Sequence, residues 1–480
     1  MTAAKKVLLA IILIPTSVIL IIAAAWDANW FKSDVETQLS DVENHQVSFT
    51  RFEHSLLSPG ELSIHDIQIR GGIVNGNIGS LSVAIDILPA LQKRVIVKQV
   101  TLNNAVLAVD MNALQAYSKS DKHVTTTAPG TSEPLPIERL SIESVLLRNI
   151  SIKDVSTQQL FTLNDFNIEI TDIVAIDNFQ MVLLDAKSFL AVSFFIEEVL
   201  TNQINIGKVS GEALLNREMI DVQSLTLEST GSKLAVSGFI KNPKQHAEVQ
   251  LVIDDSTLDV ADFAPLLGHL PVLPSGIFTV AGAVDTQGDL GAPKQLLQAL
   301  NGHIDLGMNN GALQGIDINK LVTAIKDSQT TSLRDIGGFL VSGPLGLIGS
   351  NMFDLSGGTS AFDGTTEIPQ LQLKSQFEKG MLQLQDTALS TDQHRLAFSG
   401  SVDMGKQTFH DFTFALLDAE GCAEVKQTLN GAMSKPTSAV SKSLLDSALS
   451  PLNNLIGTVK KSLGEKCTPF YQGEVTHPEG

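Results

Sequence analysis

The residue pairs best suited to acid–base chemistry in this chain are His65–Asp66 and His410–Asp411, together with the carboxylate pairs Glu197–Glu198 and Asp254–Asp255. A histidine and an aspartate can pass a proton only when imidazole and carboxylate meet. Both His–Asp pairs fall in strand-like sequence, where adjacent side chains point to opposite faces, so neither makes a site by itself. The carboxylate pairs read as solvated turn or edge positions. No His-Glu-x-x-His, Walker A loop, Gly-x-Gly-x-x-Gly or Gly-x-Ser-x-Gly occurs. The ten histidines are scattered, with no pair at metal-ligand spacing on a helix. The residues point to no enzyme, no metal and no other cofactor, although a carboxylate pair from distant strands would leave no trace in the sequence.

The elements that carry these residues begin with a membrane segment. Val7 to Ala25 holds no charge, follows Lys5 and Lys6, and precedes Trp26 and Trp30. As a helix it covers roughly 28 Å, close to the hydrocarbon thickness of a bilayer. Lysines stay on the cytoplasmic side and tryptophans settle at the interface, so Trp26 and Trp30 are the expected interface residues. Everything after Trp26 is then expected outside the cytoplasm. The competing reading is a cleaved signal peptide, which Ala23, Ala24 and Ala25 would suit; the apolar length favours a retained anchor. Cys422 and Cys467 are the only cysteines. Export permits a disulfide between them, closing a loop of about 46 residues for roughly 3–4 kcal/mol in the chain-entropy picture.

Phe31, Val35, Leu39 and Val42 give residues 29–42 a helical period, a short amphipathic helix at the membrane. From about Val47 the pattern changes to alternation, in which one sheet face is apolar and the other polar. Leu62, Ile64, then Ile67, Ile69 slips phase at His65–Asp66, which suggests a bulge or turn. Ile137, Leu140, Ile142, then Val145, Leu147, then Ile150, Ile152 follows the same rhythm, and Leu371, Leu373 and Leu382, Leu384 alternate later. Asn75–Gly76, Asn309–Asn310–Gly311 and Asp363–Gly364 read as turns. Residues 220–238 resemble residues 382–400 at a constant offset of 162, which suits a repeated hairpin unit. Helices are expected at Leu258–Leu267, at Ala292–Leu300, at Ile316–Ile325 with Ile318, Leu321, Val322 and Ile325 on one face, and over Leu445–Leu463 with a kink at Pro451.

The organisation that follows is a cytoplasmic tip and anchor over residues 1–26, a membrane-proximal helix and first β segment over 27–118, and a Thr/Ser/Pro-rich linker over 119–136. A repetitive β body over 137–420 comes next, then a C-terminal helical region over 421–480 closed by the disulfide. The fold class is mainly β, an elongated curved antiparallel sheet forming a hydrophobic groove, with an N-terminal transmembrane helix and a few short helices. The formal charge of −19, without a basic cluster beyond the anchor, argues against nucleic acid and against electrostatic adhesion to anionic lipid. It leaves uncharged acyl chains as partners. Aromatics are only 5%, so branched aliphatics supply the apolar face. An ordinary sandwich core competes with a groove for that face.

Several segments carry a family resemblance. Trp26–Asp–Ala–Asn–Trp30, then Val47–Ser–Phe and Leu62–Ser–Ile–His–Asp–Ile–Gln–Ile, resemble the start of AsmA-like proteins. Leu300–Asn–Gly–His–Ile–Asp–Leu, Asn310–Gly–Ala–Leu–Gln–Gly–Ile–Asp–Ile–Asn–Lys–Leu321, Phe362–Asp363, Gly380–Met–Leu–Gln–Leu and Leu396–Ala–Phe–Ser–Gly–Ser–Val–Asp403 continue the family pattern in order. The resemblance implies a protein of the inner membrane of a Gram-negative bacterium, with its bulk in the periplasm and similar to bridge-like lipid transfer proteins. It implies phospholipid as partner, a role in outer-membrane homeostasis and no catalytic set. Combined with alternation, it makes Ile64, Leu225, Leu227, Leu382 and Leu384 the expected groove residues. A scaffold for outer-membrane protein assembly, working with outer-membrane or periplasmic proteins and carrying no lipid, is the alternative.

Overall fold

The computed structural model describes residues 46–54, 60–86, 88–120, 137–156, 161–178, 180–181, 189–201, 204–243, 246–267, 272–327, 364–433, 436–440 and 467–478. The anchor segment Val7–Ala25, Trp26, Trp30, the amphipathic helix of residues 29–42 and the helix expected over Leu445–Leu463 lie outside these residues. So does Asp363. Among the described residues no helix is long and apolar enough to cross a membrane.

The chain is mainly β and divides into two compact units, Met1–Ser229 and Thr230–Gly480. In the first unit β1 (Gln46–Ser48) and β2 (Arg51–His54) both pair with β3 (Glu61–Arg70). The ladder continues through β4 (Val74–Asp86), β5 (Arg94–Val109), β6 (Arg139–Asp154) and β7 (Phe161–Asp177). It then passes beyond the two-residue β8 (Gln180–Met181) to β9 (Leu190–Thr201), β10 (Asn205–Leu215) and β11 (Met219–Glu228). All these pairs are antiparallel except β5–β6, which is parallel from Arg94–Arg139 to Val109–Asp154. This corrects the wholly antiparallel expectation. A parallel pair needs a crossover, and residues 110–138 provide it. The crossover opens with α1 (Met111–Ser120), a helix unforeseen in the sequence, whose first amides Asn112 N and Ala113 N donate to Asp110 Oδ1 at 2.9 and 3.0 Å.

The long strands of this unit are creased. Asp66, Asn104, Asn149 and Asp165 all have φ between 50° and 56°, the left-handed region that Asn and Asp tolerate best. Register sets the first three side by side: Asp66 lies between the pairs His65–Ser80 and Ile67–Ile78, facing Gly79, which in turn faces Asn104, and Asn104 flanks Asn149 on the parallel strand. Hydrogen bonds follow the line. Thr50 Oγ1 donates to Asp66 Oδ2 at 2.7 Å, Asn149 Nδ2 to Asn104 Oδ1 at 3.2 Å, and Asn149 N to Asn167 Oδ1 at 3.0 Å. One left-handed residue turns the strand so that the apolar face is met again after three residues instead of two. That is the rhythm of Ile64 to Ile67 and of Leu147 to Ile150. At Asp66 this is neither turn nor bulge, because pairing with β4 runs on without an extra residue.

The second unit runs through β12 (Lys233–Lys241), β13 (Ala247–Asp259), β15 (Ile277–Gly288), β16 (Asn301–Gln314), β17 (Thr365–Glu378), β18 (Met381–Ser390), β19 (Arg395–Asp403), β20 (Thr408–Leu417), β21 (Ala423–Ala432) and β22 (Thr437–Val440), each antiparallel to the next. The short β14 (Leu273–Ser275) pairs with β16. The expected helices sit between strands: a 3-10 turn at Val260–Phe263 followed by α2 (Ala264–Leu267), then α3 (Pro293–Gln298) and α4 (Ile318–Asp327). Ile318 and Val322 of α4 join the apolar cluster over β16–β21 with Ile316, Ile368, Phe409 and Leu429. The side chains of Leu321 and Ile325 lie outside the description. Asn75–Gly76 and Asn309–Asn310–Gly311, expected as turns, lie inside β4 and β16, where Asn310 has φ 58°. Residues suited to a left-handed backbone serve a strand crease as well as a hairpin.

The sequence echo has a structural counterpart. β11 and β18 begin at Met219 and Met381, and β12 and β19 at Lys233 and Arg395, each pair at the same offset. Gly238 and Gly400 hold matching places with φ 149° and 105°. A β-carbon at either would collide with a carbonyl of the next strand, Gln250 O or Asp411 O, so the backbone approach reserves both positions for glycine.

Candidate functional site

The apolar residues of the first unit form rows across its ladder. One row is Ile64, Leu81, Leu102, Leu147, Ile168, Phe194, Gly211 and Leu225, each the register partner of the next. A second is Ile67, Ile78, Ala105, Ile150, Phe166, Ile196, Val209 and Leu227. A third is Leu62, Val83, Val100, Val145, Ile170, Val192, Ala213 and Val222. The three rows hold no charged or hydrogen-bonding side chain. Gly211 leaves room for a ring, since a β-carbon there would come within 2.8 Å of Phe194. On the opposite face the row Ser63, Ser82, Thr101, Leu146, Glu169, Ser193, Glu212 and Ser224 is polar apart from Leu146.

Burial changes along the rows. Ile64 is only 5% exposed and packs with Ile67, Ile78, Ala105 and Ile150. Val97, Ile142, Val145 and Ile173 bury beside them in a second cluster of this unit. At the other end Val209, Leu225 and Leu227 are half-buried. Three of the five residues expected in a groove, Ile64, Leu225 and Leu227, therefore share one face, with Ile64 and Leu225 ending the same row. Leu382 and Leu384 belong to the second unit. They are 5% and 8% exposed and sit within the cluster that α4 joins. Phe166, Ile168, Phe194 and Val209 extend the face beyond the expected residues. Their alternation is visible in the sequence, but membership of a common row depends on register.

The titratable pairs have other partners. His65 Nε2 lies 3.3 Å from Glu53 Oε2, while Asp66 is bonded by Thr50. His410 Nε2 lies 3.1 Å from Thr408 Oγ1, and Asp411 Oδ1 accepts from Asn430 Nδ2 at 3.2 Å. Asp66 and Asp411, with φ of 54° and 47°, are crease residues. Glu197 pairs with Lys208 at 2.9 Å, and Glu198 accepts from Asn164 at 2.8 Å. Among the described residues no group of three or more His, Cys, Asp or Glu side chains could hold a metal ion.

Cys422 and Cys467 form a disulfide with Cα atoms 6.2 Å apart. Beyond it, residues 467–478 lie against β18–β20, where Ala388, Ala397 and Ala415 are cross-strand neighbours. These small side chains leave space that Tyr471 and Val475 fill. The Tyr471 hydroxyl donates to Asp386 Oδ1 and accepts from Val475 N. Burial, then the Asp386 carboxylate, pushes the phenol well above its ordinary range. Lys374 Nζ reaches Glu474 Oε1 at 2.6 Å, which raises the lysine's pKa, and Arg395 Nη1 donates to Val475 O at 3.3 Å. The alternation of β18–β20 gives no sign of this tail contact in the sequence.

No family model, no curated protein and no solved structure matches the chain.

Proposed function

We propose that the chain is an exported, inner-membrane-anchored protein of AsmA-like kind that handles phospholipid, with acyl chains lying along the apolar rows of the first unit as the lining of a groove. The observation that carries this reading is the continuity of three apolar rows in register over eight strands. At about 4.8 Å per strand a row is roughly 34 Å long. An acyl chain covers half of a ~30 Å hydrocarbon core, about 15 Å, so a row has length for two end to end. Each buried methylene contributes about 0.8 kcal/mol, and rows without charge let a chain slide from one position to the next. Phosphate head groups stay in water, where their hydration is kept. The Val7–Ala25 segment would hold the chain at the membrane that supplies lipid.

The test is native mass spectrometry with lipid analysis on residues 27–480, purified from the periplasm without detergent. The expected result is co-purifying phospholipid in the wild-type chain and less of it in Leu225→Asp, with circular dichroism unchanged. A folded wild-type chain free of lipid would overturn the reading.

A further inference from the structure

Among the described residues, Thr366 and Ser375 are polar side chains buried beside the apolar cluster of the second unit, and both are hydrogen-bonded; Gln427 differs. Gln427 of β21 is 1% exposed, and among the described residues neither its Oε1 nor its Nε2 has a hydrogen-bond partner. Its register partner on β20 is Phe414, with Phe412 and Leu416 diagonal to it and Val425 and Leu429 two residues away on its own strand. Phe412, Phe414, Leu416 and Leu429 are core members of the cluster that also holds Leu382 and Leu384, and Val425 packs against it. A primary amide offers two donors and an acceptor, and leaving them unmet in such surroundings is destabilising, because the desolvation of the group is not repaid. Glutamine is therefore the wrong residue for this place if the cluster is only a core.

We propose that Gln427 is the polar anchor of a lipid site in the second unit, its Nε2 donating to an acyl ester carbonyl while the acyl chain lies against Leu382, Leu384, Phe412 and Phe414. This rests on the lipid-handling reading and names the part of the lipid that is recognised. The ester region fits and a phosphate does not: the described side chains around the amide carry no cation, and an unpaired charge buried there would be far more costly than a neutral carbonyl. Entry is from the β22 side. β22 is four residues long and pairs with β21 at Gln427 itself, through Val440. A short strand of this kind opens at low cost compared with the longer ladder behind it.

The test offers the purified chain vesicles of ester-linked phosphatidylcholine or of its ether-linked analogue, which lacks the acyl carbonyl, and measures lipid bound by native mass spectrometry. One neutral hydrogen bond corresponds to about a fivefold difference. The wild-type chain should take up more ester than ether lipid, the Gln427 site itself differing about fivefold, and Gln427→Leu and Gln427→Met should take up both lipids equally. Thermal melting of the lipid-free variants at or above the wild-type midpoint would show that the fold is intact. Equal uptake of ester and ether lipid by the wild type, or an ester preference that survives both substitutions, would overturn the anchor and leave a buried water as the amide's partner. No uptake of either lipid by the wild type would instead overturn the lipid-handling reading on which the anchor rests.

Discussion

Asn149 carries a backbone task that its side chain alone would not suggest. At φ 54° it lies where a β-branched residue is held at a cost of roughly 1–2 kcal/mol, while glycine is free of that cost. Its side chain adds a bond to Asn104, and its amide one to Asn167. Asn149→Val is expected to lower stability by about 2–3 kcal/mol in urea unfolding, and Asn149→Gly by about 1 kcal/mol or less. Equal losses in the two variants would mean that the side-chain bond, and not the backbone, dominates. The sequence shows the crease as a three-residue step in an otherwise two-residue alternation, because one left-handed residue changes which face its successors occupy.

At the scale of the element, α4 shows how local and long-range signals combine. Asp317 precedes the helix, and its Oδ1 accepts from Lys320 N at 2.9 Å while Oδ2 pairs with Lys320 Nζ at 3.0 Å. The Lys320 amide holds the Asp317 carboxyl below its ordinary pKa, against a smaller opposing effect of desolvation, with the ammonium assisting. Loss of this cap in Asp317→Ala should cost about 1 kcal/mol at neutral pH. A depressed carboxyl contributes stability that is fully present above its unfolded pKa of about 3.9 and is lost as pH falls through the folded value. The gap between wild type and Asp317→Ala should therefore narrow only below about pH 4, which urea titrations across that range would show; a gap that narrows between pH 5 and 7 would assign the effect to another group. The apolar side of the same helix is anchored by Thr366, whose Oγ1 accepts from Ile318 N at 2.8 Å. That partner is distant in sequence, and the spacing of residues 316–325 alone says nothing of it.

For the molecule as a whole, each unit has an apolar face of its own, and the two are built differently. The first unit's rows are half-buried towards β11, whereas the second unit's cluster is joined by α4 and interrupted by Gln427. The tail adds a further tie within the second unit, since the disulfide and the Tyr471–Asp386 bond both hold residues 467–478 to it. Cys467→Ser is expected to remove roughly 3–4 kcal/mol in the chain-entropy picture and to speed cleavage by Glu-specific protease at Glu474. Cleavage at the wild-type rate would show that the packing of Tyr471 and Val475 suffices without the bond. On the proposed lipid-handling reading, lipid retention in the first unit should be unaffected by that variant, because the rows ending in Leu225 and Leu227 lie in the other unit.

Alternation, its three-residue steps, the helices α2, α3 and α4 and the pairing of two lone cysteines are all properties of neighbouring or unique residues, and the sequence by itself determined them, whereas it did not show α1. It showed that strands dominate, that one face of each is apolar, and where α2, α3 and α4 interrupt them. Only the tertiary structure decided that β5 and β6 run parallel, that Ile64 and Leu225 end one row while Leu382 and Leu384 belong to another unit, and that Gln427 is buried without a partner among the described residues. The tail's seat on Ala388, Ala397 and Ala415 was equally out of reach. These facts depend on register and on which strand lies beside which. Pairing partners separated by tens of residues are chosen by the combined burial of whole strands, and no local run of residues encodes that choice.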